Sequence, residues 1–134
     1  MKPEQFIREQ GLKKAKALCE GAPESANVYD IDNKEYADTR EDTFGLSCNL
    51  IGLRRLSHLV GSLDIVRVIG GIEYTRSAVA NAPVEAIGYD TMYEGYFGEE
   101  TKHYYENLRT FTIDQIKEAV AVHESIYGGG DEVN

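Results

Sequence analysis

Apolar residues along the chain fall into two kinds of pattern. Leu53, Leu56, Leu59, Val60, Leu63 and Val66 recur at three- and four-residue intervals, the spacing that gathers side chains on one face of a helix. This helix should stop at Gly70-Gly71, because glycine accepts the left-handed backbone of a helix C-terminus. A second helix follows at about 72–81 and ends near Asn81-Ala82-Pro83, since the residue before proline avoids helical geometry. Earlier in the chain the same logic predicts a helix at about 12–21, ended by Ala22-Pro23, behind a short helix at Pro3–Gln10. The last helix, about 113–127, opens on Thr112-Ile113-Asp114-Gln115, a capping-box pattern, and ends at Gly128-Gly129-Gly130.

Between the helices lie two polar stretches rich in tyrosine, 26–48 and 86–108. Val28–Ile31 and Lys34–Tyr36 flank Asp32-Asn33, which predicts a tight turn between two short strands. Ala86–Tyr89 and Gly95–Phe97 are the matching strands further on. The fold class predicted is α+β, dominated by helix, with an all-helical domain carrying long ordered loops as the alternative.

The two sets of elements stand in register. At an offset of 60 residues, Gly11 falls on Gly71, Ala22-Pro23 on Ala82-Pro83, Ala26 on Ala86, Tyr29-Asp30 on Tyr89-Asp90 and Tyr36 on Tyr96. These are seven identities within residues 11–36, without a gap, and Leu53, Leu56 and Val60 fall on Ile113, Ile116 and Val120. Self-similarity at a fixed period marks a repeated unit. The expectation is one pseudo-twofold domain over 1–130, made of copies at about 5–64 and 65–124, with 131–134 as a flexible tail.

Charge adds a second theme. The chain carries 14 basic and 23 acidic residues, a net of −9. Residues 30–42 hold Asp30, Asp32, Glu35, Asp38, Glu41 and Asp42 against Lys34 and Arg40, a net of −4. Residues 85–106 hold Glu85, Asp90, Glu94, Glu99, Glu100 and Glu106 against Lys102, a net of −5. The helical segments 1–20 and 43–84 are each +2. Such a balance argues against direct nucleic-acid binding, which needs clustered Lys and Arg. It suits either a solvated face or a surface that steers a basic protein. Eight of the nine tyrosines lie outside the best helices or at their ends. Tyr29, Tyr36, Tyr89 and Tyr96 recur at the offset and read as packing residues. Tyr93, Tyr104 and Tyr105 read as interface residues, since tyrosine joins a large apolar body to one polar tip. The predicted partner-binding set is therefore Tyr93, Glu94, Glu99, Glu100, Tyr104 and Tyr105, with Asp38, Glu41 and Asp42 in the first stretch.

Catalytic signals are sparse. His58, His103 and His123 have no metal-ligand spacing, and at the offset they face Glu118, Thr43 and Leu63. No catalytic, metal or cofactor residues are predicted, and no cofactor. His58 reads as a partly exposed helix residue, and the pair His123-Glu124 sits near a helix end, where the dipole favours a protonated imidazole. An asymmetric enzyme site around His103, Tyr104, Tyr105 and Glu99 or Glu100 is one alternative. A helix-turn-helix regulator over Leu63–Val79, using Arg54, Arg55, Arg67 and Arg76, is another, though Glu73 opens its would-be recognition helix. Cys19 and Cys48 lack CxxC spacing and are expected to stay reduced. No window approaches the roughly 18 apolar residues of a membrane span, and Met1–Gln5 turns polar at once, so the expected location is the cytoplasm, with no membrane partner and homo-oligomerisation left open.

The segments Gly11–Lys16 with Ala22-Pro23, Arg55–Leu63, Val68–Glu73 and Val122–Gly128 resemble small accessory proteins of lambdoid temperate phages, short products of early or recombination-region genes. These matches are helix ends and faces, so the resemblance carries no catalytic residue across. It implies a phage or prophage protein in the bacterial cytoplasm. With the charge pattern, it suggests a non-enzymatic protein that binds a host or phage protein with a basic surface, and so inhibits a nucleic-acid-handling or defence factor.

Overall fold

A computed structural model of the chain describes residues 1–41, 43–102 and 109–128. The elements are α1 (Pro3–Gln10), α2 (Leu12–Glu20), β1 (Val28–Asp30), β2 (Glu35–Ala37), β3 (Leu50–Gly52), α3 (Leu53–Ile69), α4 (Ile72–Ala80), β4 (Ala86–Asp90), β5 (Gly95–Gly98), β6 (Thr110–Thr112) and α5 (Ile113–Tyr127). Two three-stranded antiparallel sheets are present, ordered β2-β1-β3 and β5-β4-β6. The fold is α+β and helix-dominated, which removes the all-helical alternative. The chain divides into two compact units, Met1–Gly61 and Ser62–Asn134, with the boundary inside α3. The predicted tail 131–134 lies outside the described residues.

In the first unit, Pro3 opens α1 in its first turn, where its missing N–H costs nothing, and Phe6 and Ile7 are buried. Gly11 then breaks the path at φ 93 and ψ 156 while its amide still donates to the Ile7 carbonyl at 2.8 Å. This conformation is essentially restricted to glycine, so α2 restarts at Leu12 in a new direction. Its buried contact is Ala15, and Ala22-Pro23 ends it. β1 and β2 pair Val28 with Ala37, Tyr29 with Tyr36 and Asp30 with Glu35. On its other side β1 pairs Val28 with Gly52, Tyr29 with Ile51 and Asp30 with Leu50 of β3.

The second unit holds elements of the same type and a sheet of the same strand order, with a register shift between Ala86 and Gly88 that the first hairpin does not have. Gly71 stands at φ 116 and ψ 171 between α3 and α4, and Thr75 and Ala78 are the buried α4 residues. β4 pairs Tyr89 with Tyr96 of β5 and, on its other side, Tyr89 with Phe111 of β6. The loop bonds match as well: Ile31 donates to the Asn49 carbonyl at 3.0 Å, and Thr91 to the Arg109 carbonyl at 3.1 Å. One pair differs in an informative way. Val28 faces Ala37, whereas Gly88 faces Phe97, so a medium–small pair is replaced by an empty–large one, with the Phe97 ring filling the space above Gly88.

The apolar stripe read from the sequence is the core face of α3: Leu53, Leu56, Leu59, Val60, Leu63 and Val66 are all buried. On α5, Ile113, Ile116, Ala119, Val122 and Ile126 play the same part. Thr112 caps α5 through a complete capping box with Gln115, and Gly128 closes it in the left-handed conformation. Two expectations need amending. The turn between β1 and β2 takes in Ile31 and Lys34 as well as Asp32-Asn33, because the Asp30 carboxylate captures the Asn33 amide and Lys34 adopts a left-handed φ of 56. β3 and β6, each of three residues, complete the sheets without having been predicted.

Candidate functional site

The four recurring tyrosines form one ring pair in each hairpin, and one member of each pair fastens the hairpin to a helix. Tyr29 and Tyr36 meet edge-on with ring centres 5.0 Å apart, and Tyr89 and Tyr96 meet at 5.1 Å. The Tyr36 hydroxyl donates to the Leu18 carbonyl at 2.5 Å, and the Tyr96 hydroxyl to the Ala78 carbonyl at 2.6 Å. Burial pushes both phenols up from their ordinary value, so they stay protonated donors near neutral pH. These rings serve the fold, as their recurrence suggested.

Charge counting had placed Asp30 and Asp90 among the surface acids. Both are fully buried. Asp30 accepts from the Asn33 amide and side chain at 3.2 and 2.8 Å, and from the Ser47 amide and hydroxyl at 2.9 and 2.5 Å. Burial works against its charge, but the bonds from Ser47 and then Asn33 outweigh it and hold the carboxyl from 3.8 down to about 2. Asp90 accepts from the Met92 and Tyr93 amides at 2.8 and 3.3 Å. Each carboxylate thus organises the loop that follows it, an Asx-type device. Because the folded pKa of Asp30 lies below its unfolded value, its ionisation stabilises the fold above about pH 4 and that contribution fades as pH falls through about 2. Denaturant titrations of Asp30→Asn and the parent from pH 7 to pH 2 should show a stability gap that is widest above pH 4. A gap that is constant with pH would contradict this.

What remains exposed defines the candidate surface. The β4–β5 turn presents Met92 at 54% and Tyr93 at 75% exposure, followed by exposed Glu94 at φ 54. The non-polar part of Met92 was not singled out in the sequence, although its place beside Tyr93 in a turn was the available signal. Glu99 and Glu100 are exposed just beyond β5, and Glu99 pairs with Lys102 at 2.7 Å. In the first unit the equivalent tip is Asp32-Asn33-Lys34, all exposed. Asp38 is half-buried and clamped to Arg40 at 2.8 Å, which holds its carboxyl below the usual range. Glu41 is exposed. Asp42, His103, Tyr104 and Tyr105 lie outside the described residues.

The residues named for other chemistries are placed differently. His123 is 1% exposed on the inward face of α5, with its ring 4.8 Å from that of Tyr127, at the position where α3 has Leu63. It is a core residue, not one set at a solvated helix end. Of the arginines considered for DNA, Arg55 pairs with Glu4 at 3.0 Å, Arg67 with Asp64 at 3.5 Å, and Arg76 with Glu73 at 3.4 Å and Glu124 at 3.8 Å. These acids offset the positive charge a phosphate backbone requires. Cys19 and Cys48 are free thiols. Among the described residues no group of three or more His, Cys, Asp or Glu is placed to hold a metal ion, and no helix is long and apolar enough to cross a membrane.

Comparison with known proteins adds no relative: no family model, no curated protein and no solved structure matches the chain.

Proposed function

We propose that this chain is a non-enzymatic binding protein that engages a basic protein through the acidic, tyrosine-bearing turn of its second unit. The observation that carries this reading is the Met92-Tyr93-Glu94 turn, held out by the Asp90 carboxylate with its two apolar side chains in solvent. A rigid turn loses little conformational freedom on binding, and tyrosine and methionine are enriched at protein interfaces. Glu94 stands in the turn itself, and Glu99 and Glu100 lie beyond β5 at the other end of the hairpin, where they add negative charge that draws in a basic partner at longer range. Inhibition of a nucleic-acid-handling or defence factor in the cytoplasm of a phage-infected bacterium is the role this proposal assigns, because such factors carry basic surfaces. The recurrence at sixty residues is, in the same proposal, the trace of a duplicated unit in which the second hairpin acquired the exposed anchor that Asp32-Asn33 lacks.

The test is capture of a specific partner from bacterial lysate, repeated with Tyr93→Ala. Loss of an interface anchor typically costs 2 kcal/mol or more, about 30-fold in affinity, so capture should fail while the thermal midpoint stays within about 2 °C of the parent. Equal recovery with the variant would remove the turn from the interface.

A further inference from the structure

The first unit holds an open cleft of about 380 Å³, within the size range of small-molecule sites. Leu53 is buried and Cys19, Ala22 and Ala26 are half-buried, so these form its floor. Arg40, Arg54, Ser57 and Glu24 are exposed and form its rim. The rim thus carries two guanidiniums and the Glu24 carboxylate, and Asp38 offsets the charge of Arg40 from beside the cleft. Arg54 is the rim cation with no ion-pair or hydrogen-bond partner among the described residues. Arg40 is oriented by Asp38, which takes two of its five N–H donors and leaves the rest of the fork available.

The fold does not demand this lining. Sixty positions on, in elements of the same type and pairing, Arg40 is replaced by Glu100, Arg54 by Asp114 and Cys19 by Val79. The backbone therefore tolerates the opposite charge at both arginine positions. Burial and the Glu20 carboxylate push the Cys19 thiol up, which favours its neutral form beside the apolar side chains of the floor.

We infer that this cleft binds a small organic anion, its carboxylate held by Arg54 and Arg40 and its apolar body seated on Ala22, Ala26 and Leu53. Guanidinium pairs with carboxylate through two parallel N–H bonds, and the floor distinguishes an organic anion from a bare inorganic one. This inference is independent of the proposed protein interface, which belongs to the other unit.

The experiment is an NMR titration of the full chain with sodium benzoate, with benzamide and inorganic phosphate as comparisons. Benzoate should shift the amides of Ala22, Ala26 and Leu53–Ser57 saturably, with a Kd of about 1–10 mM, as befits a nine-atom ligand. Benzamide, which has the same shape without the charge, and phosphate, which lacks the apolar body, should each bind at least about fivefold more weakly. Arg54→Asp, which breaks no contact among the described residues, should weaken benzoate binding by about tenfold, a typical effect for one charge-assisted pair. The remaining amides should keep their positions in that variant, and Arg40→Glu/Arg54→Asp should abolish the shifts. Equal binding of benzamide, tighter binding of phosphate, unsaturable shifts spread over the surface, or undiminished binding by the folded Arg54→Asp chain would each overturn the assignment.

Discussion

Gly88→Val should destabilise the protein by about 3 kcal/mol, the upper end of what overpacking a filled site costs. A Cβ built on Gly88 meets Phe97 Cζ at 2.2 Å and two further ring carbons at 2.7 Å, far inside contact distance, so the half-buried ring must leave its place opposite Gly88. The backbone itself is no obstacle, because the φ of Gly88 lies outside the left-handed region. The informative variant is the double one. Gly88→Val/Phe97→Ala recreates the pairing that Val28 and Ala37 make in the first unit, and it should recover most of the loss despite removing a large side chain. Denaturant unfolding of the two single variants and the double would then give a coupling energy of about 2 kcal/mol or more. Additive losses would mean that the two hairpins are not interchangeable packings of one pair.

Gly71→Ala and Gly11→Ala should each cost about 1–3 kcal/mol, the price of holding a side-chain-bearing residue in a glycine-only conformation. Nothing lies within 4 Å of a Cβ at either position, so the loss is one of backbone conformation alone. The two values should agree closely, since the residues share φ 93 and 116 with ψ 156 and 171. Gly61→Ala offers the contrast. It lies exposed inside α3, also with open space around its Cβ, and should stabilise by about 0.5–1 kcal/mol. One substitution type would thus change sign with backbone conformation, measurable as opposite shifts of the unfolding midpoint. A stabilising Gly71→Ala would contradict the break between α3 and α4.

The helices were legible because each carries its own punctuation. Spacing marks the face of α3, proline ends α2 and α4, and Thr112 with Gln115 marks the start of α5 within a residue. The strands were half legible. Tyr29 and Tyr36 suggested a hairpin, but β3 and β6 are three residues each and run directly into α3 and α5, so Leu50–Gly52 and Thr110–Thr112 offer no window long enough for alternation to be seen. They are strands because β1 and β4 need partners on their second edges, a long-range requirement.

The candidate site was read through charge, and charge counts are blind to burial. Asp30 and Asp90 were included with the surface acids although their oxygens are consumed by loop amides. Asp38 and Glu99 are offset by Arg40 and Lys102, two and three residues away. The tyrosines were more transparent, because recurrence separated Tyr29, Tyr36, Tyr89 and Tyr96, which the sheets require, from Tyr93, which they do not. His123 gave the same kind of signal in reverse: its counterpart is Leu63, and it occupies the buried place that leucine marks.

The central claim is that Glu94, Glu99 and Glu100 steer a basic partner onto the Tyr93 turn. It is tested most directly by the association rate of the captured partner, measured by stopped flow from low to physiological salt. Exposed charges are screened over about 8–10 Å at physiological ionic strength, and steering acts on the on-rate more than on the off-rate. The parent rate should therefore fall steeply as salt rises. The triple variant Glu94→Gln/Glu99→Gln/Glu100→Gln, as stable as the parent to within about 0.5 kcal/mol, should associate more slowly at low salt and show a flatter dependence. Identical rates and salt slopes for the two proteins would show these carboxylates to be solvated surface and contradict the account.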